Sequence, residues 1–81
     1  MARVLLFGRL ADVAGWRERE IDPLPDSLCG LRDLLGRDDP LLAEALAGRG
    51  VRAALDKALA AGEASLTGVR EVAFMPPMSG G

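Results

Sequence analysis

The residues able to do chemistry are few, and the most suggestive of them lie together. The last six residues read Pro76-Pro77-Met78-Ser79-Gly80-Gly81, which predicts a carboxylate carried at the tip of a slim segment. Glycines without Cβ atoms can thread a narrow channel and let another protein's backbone close around them. Two prolines stiffen the base, and six extended residues reach ~20 Å. The plainer alternative is fraying, because ordering such a tail costs on the order of 1–2 kcal/mol of backbone entropy per residue. Cys29 is open to two readings, a relay sulfur or a small semi-buried filler beside Leu28 at the start of a helix. With no His and one Cys among 81 residues, the sequence offers no intramolecular disulfide, no Cys/His zinc site and not the usual general base. No metal site is expected.

Whatever the tail does must be supported by one small domain. An apolar fraction of 49% with 27% charged residues is that of a folding globular chain. The net charge of -2, with both signs interspersed, gives no electrostatic footprint for nucleic acid. The apolar run near the N-terminus is too short for a secretory leader or a membrane span, so a cytoplasmic location is expected.

The elements follow from apolar spacing and punctuation. Val4 to Phe7 reads as a strand buried on both faces or central in a sheet. Leu10, Val13 and Ala14 make a short helical turn stopped by Gly15. Alternation from Trp16 to Ile21 gives a half-exposed second strand, paired with the first and closed by Asp22-Pro23. Ser27 is placed as the N-cap of a helix whose stripe is Leu28, Leu31, Leu34 and Leu35, with Gly36 as its stop. Asp39-Pro40 starts a shorter helix through Leu41, Leu42, Ala45 and Leu46 to Gly48, and both leucine stripes are assigned to the core. Val51–Leu55 is a third strand, Asp56-Lys57 a turn, and Ala58–Ala60 a weak fourth strand. The stretch 62–68 reads as loop, and Glu71–Met75 as the final strand, stopped by Pro76-Pro77. Phe7 and Phe74 are assigned to the core. Trp16 is open between a partner anchor and a cap over the core. These elements predict a mixed sheet with a helix packed across one face.

Three segments, Val4-Leu5-Leu6-Phe7-Gly8-Arg9-Leu10, Val51-Arg52-Ala53-Ala54-Leu55-Asp56 and Glu71 through Gly81, carry a likeness that spans essentially the whole chain. The sequence resembles the small subunits of molybdopterin synthase, sulfur carriers of the ubiquitin-like β-grasp class. The resemblance implies an α+β fold, a mixed sheet of about five strands with a helix across one face. It divides the chain into a β-grasp domain over residues 1–76 and a flexible tail over 77–81. It departs from the family pattern at Gly68-Val69-Arg70-Glu71, where relatives carry an acidic turn, at Met75, where a second aromatic is common, and at Asp56, where Asn is frequent.

The family's chemistry implies that an ATP-using, ubiquitin-activating-like adenylyltransferase adenylates the carboxylate of Gly81. A sulfur donor, a desulfurase or a rhodanese-like protein, then converts it to a thiocarboxylate, with Gly80 as the slim neighbour. That sulfur would pass to a cyclic pyranopterin in the large subunit, giving the dithiolene of molybdopterin within a heterotetramer. No cofactor is expected to stay bound, and catalytic groups are expected on the large subunit. Leu59, Met75, Pro76, Pro77, Met78 and Ser79 are the expected partner contacts, with a simple core role still open for Leu59. A related carrier for thiamine or tRNA thiolation, a protein modifier, and a plain interaction domain are the alternatives.

Overall fold

The computed structural model describes residues 2–60 and 62–77. Its elements in chain order are β1 (Ala2–Leu6), α1 (Arg9–Ala14), β2 (Glu18–Ile21), α2 (Leu28–Arg37), α3 (Pro40–Leu46), β3 (Arg52–Leu55), β4 (Ala58–Leu59) and β5 (Glu71–Met75). The five strands form one mixed sheet in the order β2-β1-β5-β3-β4. β1 and β5 run parallel, with Val4 opposite Val72 and Leu6 opposite Phe74, and the other pairings are antiparallel. A parallel pair cannot be closed by a hairpin; here everything from α1 to β4 lies between its two strands.

Strand periodicity decides which side chains meet the helices. Val4 and Leu6 of β1, Ala53 of β3, and Val72 and Phe74 of β5 pack against Leu10, Leu28, Leu31, Leu35, Leu42 and Leu46 from the three helices. Phe74, Val72, Val4 and Leu31 are fully excluded from solvent, and each such side chain contributes about 1.5–3 kcal/mol by burial. The helix starts are set by their predicted caps: Ser27 Oγ accepts from Gly30 N at 3.0 Å, and Asp39 Oδ1 accepts from Leu42 N at 3.1 Å, with Pro40 in the first turn. These bonds satisfy amides that a helix cannot satisfy internally.

Several expectations are corrected. β1 lies inside the sheet, as one of its two readings has it, but is covered on one face only, and it ends at Leu6, so Phe7 falls on the other side of the alternation and is 48% exposed rather than core. Leu41 is also exposed, because α3 is seated through Leu42, Ala45 and Leu46. Gly36 does not stop α2, which continues to Arg37. Its role is spacing, since a Cβ there would lie 2.4 Å from Ala43 Cβ where α2 and α3 cross. Cys29 is exposed. Trp16 precedes β2 and packs half-buried on the core with the Arg19 guanidinium 4.5 Å above its ring, which favours the cap over the anchor. The segment 62–68 is a loop, as expected, but one that is tied down: Leu66 is core, its N–H donates to Asp26 O at 2.8 Å, and Leu28 N donates to Ala64 O at 2.9 Å.

Candidate functional site

β5 leads to the residues that the sequence singles out, so its two ends define the site. Its start is held by the hairpin turn between β3 and β4. Asp56 and Lys57 have φ of 48° and 74°, and positive φ at both central residues is what a tight two-residue hairpin demands. In that conformation Asp56 Oδ1 accepts from Arg70 N at 3.0 Å and Glu71 N at 2.9 Å, while Asp56 N donates to Glu71 O at 2.9 Å. Asp thus does what the family's Asn was expected to do, tolerating the left-handed region and bonding locally. At the other end Phe7 N donates to Phe74 O at 3.1 Å, and Arg52 lies opposite Met75. Pro76 then ends the ladder, having no N–H to give.

The sheet face away from the helices carries a continuous apolar row. The registers place Leu5, Ala73, Ala54 and Leu59 side by side across β1, β5, β3 and β4. The alanines are small enough to be shielded by their neighbours, whereas Leu59 at the end of the row is 61% exposed. Met75, half-buried, stands one step along β5 toward Pro76. Around the row sit Arg52, Glu71, and the pair Arg3 and Glu18 at 3.8 Å, an exposed contact of little energetic weight. An apolar strip with a polar rim is the anatomy of a protein docking surface.

Of the expected contacts, Leu59 and Met75 are thus brought to one face of the sheet, while Pro76, half-buried, and Pro77, exposed, follow at the end of β5 and reach the helix side. Met78, Ser79, Gly80 and Gly81, all of the expected flexible tail but Pro77, lie outside the described residues. Leu5, Ala54 and Ala73 were missed as members of the same surface. The period-two alternation in β5 hinted at Ala73, but the row appears only once β5 is known to lie between β1 and β3.

On the helix side of the exit, Leu10, Val13, Leu41 and Val51 line a groove of about 880 Å³ that reaches Pro76 and Pro77. Arg9 and Arg49 at this groove are matched by Asp12 and Glu44, which leaves no net charge to attract an acidic partner. Elsewhere, the Glu63 carboxylate accepts from Ala64 N at 2.8 Å and from Cys29 N at 3.0 Å. These backbone donors hold its carboxyl below the ordinary 4.5. Among the described residues, no group of three or more His, Cys, Asp or Glu side chains is placed to hold a metal, and no helix is long and apolar enough to cross a membrane.

The model of the ThiS family matches residues 4–81. Among solved structures the chain is similar to SAMP1 from Haloferax volcanii, with 33% sequence identity, a TM-score of 0.73, and coverage of 99% of this chain and 98% of that one. This likeness gives the sheet and its helices the ubiquitin-like β-grasp fold. No curated protein matches the sequence.

Proposed function

The chain belongs to the ThiS family, and from that premise we propose that it is the sulfur-carrying small subunit of molybdopterin synthase. ThiS-type carriers work with partner enzymes, and the observation that carries the proposal is the uncovered apolar row across β1, β5, β3 and β4, which includes the strand that leads to Pro76-Pro77. One enzyme docking on Leu59, Ala73 and Met75 receives the tail at the same time. The Met75-Pro76-Pro77-Met78-Ser79-Gly80-Gly81 ending and the helix-rich middle, α2 with α3, favour molybdopterin over the shorter thiamine carriers.

The chemistry is carried by Gly81. A carboxylate is a poor electrophile, and attack of its oxygen on the α-phosphorus of ATP, with loss of pyrophosphate, makes an acyl adenylate. A persulfide on a desulfurase or rhodanese-like donor attacks the carbonyl carbon and displaces AMP, giving an acyl disulfide. A thiol then attacks the donor's sulfur, so that a disulfide forms on the donor side and the thiocarboxylate, a soft nucleophile, is released. Two such rounds deliver two sulfurs to a cyclic pyranopterin held by the large subunit. Gly80 allows close approach of the partner's backbone, and Met78 and Ser79 line the entry. The acid and base groups belong to the partners, in keeping with a sequence without His. The assembly is a cytoplasmic heterotetramer of two small and two large chains, and the small chain keeps no cofactor of its own.

A second reading, a ubiquitin-like modifier joined to lysines, is favoured by the end-to-end likeness to SAMP1. Both readings are tested by intact mass after incubation with ATP, the activating enzyme and a sulfur donor, with a variant lacking Gly81 alongside. The expected gain is one oxygen replaced by sulfur, absent in the variant. Adding the large subunit and cyclic pyranopterin should then yield the dithiolene and return the carboxylate. Thiocarboxylate that forms but is inert to that mixture, with carrier–lysine conjugates in its place, overturns the molybdopterin assignment.

A further inference from the structure

Two glycines outside the tail bear directly on how it leaves the fold. Gly8, between β1 and α1, has φ +54°, and Gly50, between α3 and β3, has φ +85°. Both serve turns, but turn geometry alone does not describe them. At Gly15 and Gly68, which also have positive φ, a Cβ would meet nothing within 4 Å. At Gly50 it would lie 2.8 Å from Pro77 Cβ, and at Gly8 it would lie 3.1 Å from Pro76 Cγ. The Cβ of Pro77 is fixed to its backbone, so a Cβ at Gly50 must displace the chain at Pro77, whereas Pro76 Cγ can give a little by ring pucker. The two loops therefore receive the Pro76-Pro77 dipeptide against bare backbone.

We infer that Gly8 and Gly50 are positioning residues that seat Pro76-Pro77 and so set the direction in which the tail leaves the sheet. The ladder fixes β5 up to Met75, through its pairing with Arg52 and the bond from Phe7 N to Phe74 O. Beyond Met75 the chain has no N–H at two successive positions, Pro76 and Pro77, to anchor it, and packing against the glycines takes over that role. The inference rests on the sulfur-carrier reading for its purpose, though not for its geometry. When only a fraction of molecules aim the tail productively, apparent affinity for the partner falls by that fraction while bound complexes react normally.

The experiment uses the full chain and two readouts. Nitroxides on the native Cys29 thiol and on Ser79→Cys report the tail's direction as a distance distribution. Pyrophosphate release with the activating enzyme and ATP gives KM and kcat for chains without labels. Gly50→Ala should shift or broaden the distances and raise KM roughly three- to tenfold with kcat within about twofold. Gly68→Ala, strained by its φ of +77° but unobstructed, should do neither. In a Pro77→Gly background the nearest remaining atom, Pro77 Cα at 3.7 Å, is in ordinary contact, so Gly50→Ala should add nothing further to KM. Gly8→Ala should behave likewise, more weakly, against Pro76→Ala. Unchanged distances in Gly50→Ala, or a KM increase equal in the Pro77→Gly background, overturn the inference. If distances shift as expected while even the unaltered chain supports no pyrophosphate release, the seat stands and the sulfur-carrier reading falls.

Discussion

Asp56 concentrates three interactions on one exposed turn, and replacing it separates their contributions. Its Oδ1 accepts two backbone N–H groups, from Arg70 and Glu71, at 3.0 and 2.9 Å. A net hydrogen bond is worth about 0.5–1.5 kcal/mol, and exposure to water argues for the lower half, so the two together contribute about 1–2 kcal/mol. The residue also sits at φ 48°, which costs an L-residue with no local hydrogen bond about 1 kcal/mol. Asp56→Ala loses the bonds and keeps the strain, a destabilisation of about 2–3 kcal/mol. Asp56→Gly loses the bonds and relieves the strain, so it falls about 1 kcal/mol short of the alanine variant. Asp56→Asn keeps the oxygen and the left-handed tolerance, and should cost less than about 1 kcal/mol. Urea unfolding at constant m gives the three values, and hydrogen exchange at the Arg70 and Glu71 amides localises the loss to the start of β5. Equal stability of the alanine and asparagine variants, or unchanged exchange at those two amides, refutes the assignment of Asp56 as the clamp.

Phe74 is fully excluded from solvent at the centre of the core, and Phe74→Ala should cost about 3–5 kcal/mol in the same unfolding assay. Leu59→Asp on the exposed β4 edge should leave stability within about 0.5 kcal/mol, yet weaken binding to the tail-receiving enzyme at least roughly tenfold by calorimetric titration. Glu63 is held below its ordinary 4.5 by the amides of Ala64 and Cys29. Its contribution is therefore present above that pH and is lost as pH falls through the lower folded-state value. Glu63→Gln should flatten that part of the acid limb in a pH series of unfolding midpoints, and a limb unchanged by the substitution counts against the interaction.

The elements most legible in the sequence are those specified by their own neighbours. Ser27 and Asp39-Pro40 mark helix starts by oxygen chemistry and fixed φ, and Asp56-Lys57 marks a tight turn by tolerance of positive φ. Phe7 and Leu41 were less legible, because an apolar residue at a strand end or in the first turn of a helix is buried only if another element covers that side. That depends on β1 lying beside β5, a pairing of residues almost seventy positions apart. The same pairing hid the docking row, whose members Leu5, Ala73, Ala54 and Leu59 come from four strands. Gly36 was misread as a stop because composition does not distinguish a glycine that ends a helix from one that lets a second helix approach. Leu66, in a stretch of turn-forming residues, has no periodic neighbours to announce its place in the core.

The position of β5 suits the proposed function, in which the working group lies beyond the domain. A tail leaving an edge strand would share that strand's freedom to fray, whereas β5 is hydrogen-bonded on both sides, to β1 and β3. Its start is clamped by Asp56, its middle is anchored by Val72 and Phe74, and its exit is seated between Gly8 and Gly50. Each constraint acts on backbone or on core packing, so none of them occupies the uncovered face proposed for docking. Substitutions on that face are therefore expected to change partner choice with little effect on the fold, while substitutions at the clamp, the core or the seat change how the tail is presented. On the proposed function, the partner would be chosen by the exposed row, whereas the activated group would depend only on a slim chain held in the right direction.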